Sequence, residues 1–405
     1  MGGGPAGATL AERLAPNQSG LRVLLFEEKR GWEKPCGGGL PPKVLRRYPF
    51  LRDAVEPHCV LRDTEFVAAS GESVRLHLPR PLAVYSRTVL NGLLLGRAER
   101  AGAAVVAEHV LGFGRSGQGW ELKTRQGRYT CDYLVLAAGG RTGLRRQLAP
   151  SFGPSDLMLS FGYYLPGTHG LLRVQFFENF EGYAWAFPRP GHLSVGIAAK
   201  ASESSMADLK QRLHAFMRRF NYGPSEHERA PIFSHVLPAL GRESWRTLRL
   251  GGPGWALIGD AAGLADPITG EGISFAMRSG ELLARAILDG DPQSYPERVR
   301  ADFGRKLAFG ARLARRFYHG TFFGEPTTTR MIQYARRSQA FRRLLENLID
   351  GSQSYPSLAA QVCWAFVRWG GDSGFGIRSR ALPPAPGWNN RHEEFSTECQ
   401  PLGRP

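Results

Sequence analysis

Apolar residues along the chain fall into two rhythms. Short, densely apolar runs end in glycine or turn residues, and longer stretches repeat apolar positions at helical spacing. The sequence opens on the second rhythm in GGGPAGATLAERLA, and Arg22 to Phe26 (RVLLF) follows as a strand. Helical spacing returns from Arg87 to Ala101, after which Ala103 to Val110 and GWELKT read as strands. YTCDYLVLAAGG reads as a buried parallel strand with a glycine-rich exit, and WALIGDAAG at Trp255 to Gly263 repeats that pattern. Residues 53–84 and 157–199 carry short segments such as ESVRLHL, LMLSFGYYL, YAWAFP and HLSVGIAA, which predict β-rich regions. Helices are predicted at about 205–220, from near Gly270 onward, at about 295–318 and 327–349, and at 356–369. From Gly370 the periodicity is lost, and a mobile tail is expected.

Gly2, Gly4 and Gly7, with Pro5 and Ala6 between them, form GxGxxG at the start of a helix. The following strand ends on Glu27, twenty residues after Gly7. Glycine loop, helix, strand and acid together make a dinucleotide-binding half unit: the glycines let backbone approach a pyrophosphate at the helix N-terminus. Glu27, with Glu28 as a neighbouring candidate, can accept hydrogen bonds from an adenosine ribose. The order of elements predicts an α/β fold with a discontinuous Rossmann-type domain drawn from 1–52, 86–150 and 250–295. A β-rich substrate domain is expected at 53–85 and 151–249, a helical C-terminal region at 296–369 and a flexible tail at 370–405. Only Met1 precedes the glycine loop, so the first β-strand, normally central, reads as missing. The expectation is a start downstream of the real one, or a fragment, with both neighbouring strands losing a partner.

Composition narrows the classes. The 405 residues, 42% hydrophobic and 22% charged, suffice for one large or two ordinary domains. No apolar run approaches the roughly 18 residues that mark a membrane span. Five cysteines without a CxxC pair argue against a disulfide scaffold, a zinc ribbon or an iron–sulfur cluster, so no metal is expected. A cytoplasmic protein is expected. The formal charge of +16 rests on 45 arginines and only 7 lysines, a bias that speaks against a designed nucleic-acid face, and no recognition motif accompanies it. The excess gathers between Arg300 and Arg343, where eleven basic residues stand against Asp302 and Glu325 and are interleaved with phenylalanines and leucines. That mixture suits the inner face of a membrane or a phosphorylated ligand; ordinary helices with solvated arginine faces have the same pattern.

GGGPAG at 2–7, PCGGGL at 35–40, Arg87, YAWAFP at 183–188 and GDAAGLADPITGEGISFAMRSG at 259–280 coincide in one chain. Together they resemble the geranylgeranyl reductase family of FAD-dependent oxidoreductases, within the group sharing the p-hydroxybenzoate hydroxylase fold, over about residues 1–300. The resemblance implies an FAD site in which Gly2, Gly4, Pro5, Ala6 and Gly7 meet the pyrophosphate. It further implies that Cys36, Gly37, Gly38, Arg87, Gly259 and Asp260 contact the cofactor, and that Gly270, Glu271, Gly272 and Ile273 line the flavin. Three departures stand out: Gly139 replaces an expected aspartate, Gly143 an expected serine, and Ala198 a glycine after the aromatic motif.

The implied reaction is saturation of C=C bonds in a geranylgeranyl or other prenyl chain of a lipid or pigment precursor. Reduced flavin offers a hydride at N5, and an isolated alkene needs a proton at its other carbon. Cys36 is a candidate either to donate that proton or to shape the pocket. Tyr183 and Trp185, alternating with Phe187, suggest an apolar wall for a long chain; alternating aromatics are also ordinary strand core. With one glycine fingerprint, the electron donor, NADPH or reduced ferredoxin, is expected to dock transiently. The competing activities are a monooxygenase or halogenase of the same fold, and a peripheral flavoprotein passing electrons to quinone. The Trp-rich halogenase motif and the cluster cysteines of the latter are both missing from the sequence.

Overall fold

The computed structural model describes residues 1–358, apart from 17–19, 141–142, 168 and 224–229. Pro5 occupies the first turn of the opening helix, Pro5–Leu14, where its missing N–H costs nothing. Small residues then let this helix sink between Arg87–Arg100 and Ile273–Leu288. A Cβ on Gly280 would lie 2.5 Å from the Ala6 carbonyl oxygen, so the two helices approach to backbone contact. Ala8 and Ala11 are buried on the same helix.

Beneath these helices, Leu24–Phe26 pairs in parallel with Ala104–Val106, and Trp255–Leu257 in parallel with Leu134–Leu136. Between the two pieces lie Met1 and Gly2. The Met1 amino group donates to Val135 O at 2.9 Å, Ala137 N–H to Met1 O at 2.8 Å, and Gly2 N–H to Phe26 O at 2.9 Å. The neighbours expected to lose a partner are therefore bridged over two residues by backbone bonds. YTCDYLVLAAGG, read as one strand, is two. Arg128–Cys131 closes an antiparallel meander with Gly112–Ser116 and Gly119–Lys123, and Leu134–Leu136 enters the parallel sheet. Ala103 to Val110 forms a strand only over Ala104–Val106, because its partner is just as short.

The second layer is one eight-stranded sheet. Its order is Ile232–Pro238, Leu157–Pro166, His192–Lys200, Gly182–Arg189, Leu171–Phe176, Cys59–Val67, Ser73–Val84 and Gly39–Leu40. The last strand belongs to the glycine-rich loop, which is thereby stitched to the sheet edge at Val84 and Ala83. Met206–Arg219 packs Leu209, Leu213, Phe216 and Met217 onto one end of the sheet. Cys36 and Cys131 are free thiols, and Cys59 is disulfide-bonded.

The C-terminal helices are more broken than their periodicity suggests. Tyr295–Val299 passes through a five-residue π segment, Arg300–Gly304, into Arg305–His319. The stretch read as one helix over 327–349 is Thr327–Arg337 and Gln339–Asp350, parted at Ser338, whose hydroxyl caps the Phe341 N–H at 3.2 Å. The second of these is pinned at its end. Asp350, 3% exposed, receives forked hydrogen bonds from Arg46 and Arg80. Burial alone would raise its pKa, but the two guanidinium groups hold it below the usual range. Most of the helix expected at 356–369, and the tail at 370–405, lie outside the described residues.

Candidate functional site

A continuous cavity of about 2410 Å³ lies between the two layers and the C-terminal helices. Ordinary ligand pockets are roughly 300–1,000 Å³, so this one has room for more than one ligand. Gly2, Gly4, Pro5, Ala6, Glu27 and Glu28 line it, as do Cys36, Gly37, Gly38, Arg87, Asp260, Gly270, Gly272 and Ile273. Tyr183, Trp185 and Phe187 continue the wall, and Phe317, Met331, Leu344 and Leu348 extend it among the helices. Gly7 and Gly259 do not line it. A Cβ on Gly7 would lie 1.9 Å from Gly2 O, and one on Gly259 2.9 Å from the Ala6 methyl, so both act by allowing backbone to close up behind the wall.

The glycine-loop end is built from backbone. Gly2 has φ +100°, and a Cβ there would meet Ala137 O at 2.4 Å. Gly3 N–H donates to the Glu27 carboxylate at 2.7 Å, which fixes the acid beside the loop, while Glu28 pairs with His109 at 3.2 Å. Two helices, Pro5–Leu14 and Ile273–Leu288, begin with glycine N-caps that supply no side-chain hydrogen bond, and both N-termini open on the cavity. Their free N–H groups and dipoles favour an anion or a polarised carbonyl. Arg87 is 3% exposed; one Nη donates to Asn91 at 3.2 Å and its Nε has no partner.

The charged groups of the site are held by partners distant in sequence. Burial would raise Asp260, but Lys34 at 2.6 Å, with His235 and Arg87 beyond, keeps its carboxyl below the usual range. Glu271 behaves alike: burial is outweighed by Lys43 at 3.0 Å, the Ser274 hydroxyl and Lys306. Under the glycine-rich loop, fully buried Arg189 donates to Glu33 at 2.6 Å and to the Cys36 and Gly37 carbonyls. Glu33 in turn accepts the Arg87 N–H at 2.7 Å, so one carboxylate ties the loop to the start of the Arg87–Arg100 helix. Glu33, Lys34, Lys43 and Arg189 all escape a sequence reading, since no spacing links them to their partners.

Strand pairing explains the aromatic wall. Tyr183, Trp185 and Phe187 stand opposite Ala198, Gly196 and Ser194, all small, so the rings can lie across the neighbouring strand. A Cβ on Gly196 would sit 2.4 Å from the Trp185 ring, and one on Gly37 2.6 Å from Phe187. The Tyr183 hydroxyl donates to Thr269 O; burial pushes its pKa up, so it stays a donor. Tyr318 donates to Ile268 O, and Tyr355 reaches both oxygens of buried Asp266 at 2.9 Å. Three phenols thus clamp the loop that carries Gly270, which needs φ +68°. The Cys36 thiol is half-buried, accepts Gly38 N–H at 3.2 Å and lines the cavity.

A cavity between a Rossmann-like layer and a β-sheet, with two uncapped helix N-termini turned into it, defines a flavoprotein oxidoreductase fold. The family model for FAD dependent oxidoreductases matches residues 52–286, and the chain belongs to that family. It is 26% identical over 319 residues to a chloroplastic geranylgeranyl diphosphate reductase of Nicotiana tabacum, covering 72% of this chain and 65% of the tobacco protein. It is 28% identical over 353 residues to a menaquinone reductase of Mycobacterium tuberculosis, covering 78% and 82% respectively. A geranylgeranyl bacteriochlorophyll reductase-like crystal structure from Thermoplasma acidophilum superposes with TM-score 0.70 at 20% identity, covering 89% of this chain and 96% of that one. The fold is shared.

The residues fit FAD. Gly4 leaves open space where a Cβ would stand, Glu27 sits beside the loop for a ribose, and the orphan Arg87 Nε offers a donor to a phosphate or ribityl oxygen. The open N–H groups at the start of the Ile273–Leu288 helix would hold a polarised carbonyl of the cofactor.

Proposed function

We propose that the protein saturates C=C bonds in the prenyl chain of a lipid or pigment precursor. The observation that carries this reading is the continuity of the cavity: a wall of glycine backbone and fixed charge passes without a break into one of aromatic and aliphatic side chains. A long apolar chain could lie along Tyr183, Trp185 and Phe187 and still have one double bond at the cofactor. The names borne by the tobacco and mycobacterial relatives support a substrate with a prenyl tail. Because the match spans 65% of the tobacco protein's length, its activity transfers to this chain only as a proposal.

Reduced FAD supplies a hydride equivalent when bound. The chain's own residues hold the alkene and exclude water, and the Cys36 thiol provides the proton. Arg189 and Ser194 fix the Cys36 carbonyl, and the Gly38 N–H donates to its thiol, so the residue is held in place on the cavity wall. NADPH or reduced ferredoxin serves as a transient donor, at the cytoplasmic face of a membrane where such lipids reside.

The test is anaerobic. The yellow protein is reduced chemically, geranylgeranyl diphosphate is added, and flavin absorbance is followed. Reoxidation with a product heavier by two hydrogens is expected, and Cys36→Ser should slow it about a hundredfold or more, in line with loss of a general acid. A flavin that stays reduced with this and other prenyl head groups until air or quinone is admitted would overturn the reading.

A further inference from the structure

Between Arg305–His319 and Thr327–Arg337 the chain makes a small hairpin, Thr321–Phe322 against Glu325–Pro326. Its two central residues, Phe323 and Gly324, have φ +48° and +77°. A turn with both central angles positive favours Asn-Gly or Asp-Gly, and a bulky side chain at the first of them strains the backbone. The ring packs edge-to-face on Phe322 yet gains little burial in exchange, being 71% exposed. Arg330 holds the strained turn in place, donating to Phe322 O at 3.1 Å and Phe323 O at 2.7 Å. A residue that is both strained and exposed is explained by something outside the chain that covers it.

Phe322, Phe323 and Arg316 also line the main cavity, so the hairpin stands at one of its mouths. Arg316 lies near the base of the hairpin and Arg312 one helical turn before it on the Arg305–His319 helix; both are exposed, and neither forms an ion pair among the described residues. Half-buried Glu325 is the acid within the hairpin. An apolar tip with exposed arginines on the adjoining helix complements an anionic bilayer surface, with the ring below the head groups and the arginines toward the phosphates.

We propose that this hairpin docks the protein on an anionic membrane, with Phe323 inserted, and that the cavity mouth beside it admits substrate from the bilayer. The docking stands on the hairpin alone; the entry of a prenyl chain rests on the reductase reading above.

The experiment is flotation of the full FAD-loaded chain with phosphatidylcholine vesicles, with and without phosphatidylglycerol, in the absence of any prenyl substrate. Flotation should require phosphatidylglycerol and fade as salt is raised. Phe323→Asn, which suits the turn, should raise the melting temperature while weakening vesicle binding about tenfold or more. Phe323→Leu should keep most of the binding, and Arg312→Glu with Arg316→Glu should abolish the preference for the anionic lipid. No flotation by the parent chain, or equal flotation by the parent and Phe323→Asn, would overturn the proposal. Binding that behaves as described in a protein that reduces no prenyl alkene would leave the docking intact and remove only the reductase reading.

Discussion

The two ends of the cavity are built from different materials. Around Gly2 and Gly270 the wall is backbone, with Gly7 closing up behind it, and residue identity is dictated by contacts that a single methyl group would destroy. Among Phe317, Met331, Leu344 and Leu348 it is side chain, and several apolar residues would serve equally well. The first end is therefore intolerant and cofactor-like, whereas the second is plastic and is where the proposed prenyl chain would end. Between them, Tyr183, Trp185 and Phe187 share both characters: the rings are apolar, but small residues on the adjacent strand and loop make room for them.

Substitutions at the two ends should differ accordingly. The largest effect is expected from Gly7→Val, whose Cβ alone would lie 1.9 Å from Gly2 O. It should destabilise the fold by about 3 kcal/mol or more and abolish FAD retention, read by the yellow absorbance and the melting temperature. Asp350→Asn, at the foot of the plastic end, leaves Arg46 and Arg80 without their shared carboxylate. Both arginines are partly exposed, so a loss of about 2 kcal/mol is expected, with FAD retained. The pH dependence has a definite sign. Asp350 is held below its unfolded value, so its contribution is complete above about pH 4 and is lost as the pH falls through its lower folded value. Melting curves of the parent and Asp350→Asn should converge in acid; a gap that persists there would assign the loss to packing instead.

Smaller effects belong to the middle of the cavity. Gly196→Ala would push against Trp185 from the neighbouring strand and should slow turnover of a prenyl substrate by about tenfold while FAD binding is kept. Tyr183→Phe removes one of the three phenols that clamp the 266–272 loop. It should cost about 1 kcal/mol of stability and slightly loosen FAD, measured by titration of the apoprotein. An effect of Tyr183→Phe on turnover as large as that of Cys36→Ser would move the proton source to the phenol.

The same contrast decides what the sequence discloses. A backbone-built site leaves a signature because few residue types satisfy it, so the glycine loop, the acid at Glu27 and the segment from Gly259 are readable as strings. The paired charges are not. Glu33 and Arg189 are 156 residues apart, Lys34 and Asp260 226, and Lys43 and Glu271 228. Each is an unremarkable surface-type residue until the fold closes. The aromatic alternation at Tyr183 is legible, but the need for Gly196 opposite Trp185 depends on strand register, which periodicity does not supply. Ser338 shows the local limit: the apolar rhythm runs through it, and only its capping bond separates two helices. The strained Phe323 is likewise invisible: it falls in the gap between the helices predicted at 295–318 and 327–349, and sequence spacing does not disclose a positive φ.

The central claim is that one cavity joins the cofactor end to the apolar end. It is tested most directly by anaerobic reoxidation rates with geranyl, farnesyl and geranylgeranyl diphosphates, compared between the parent and Leu344→Trp, which fills the apolar end. The account predicts unchanged FAD binding, a nearly unchanged rate with the geranyl compound, and a rate with the geranylgeranyl compound about tenfold or more slower. Equal slowing of all three, or none, would contradict a substrate lying along this cavity.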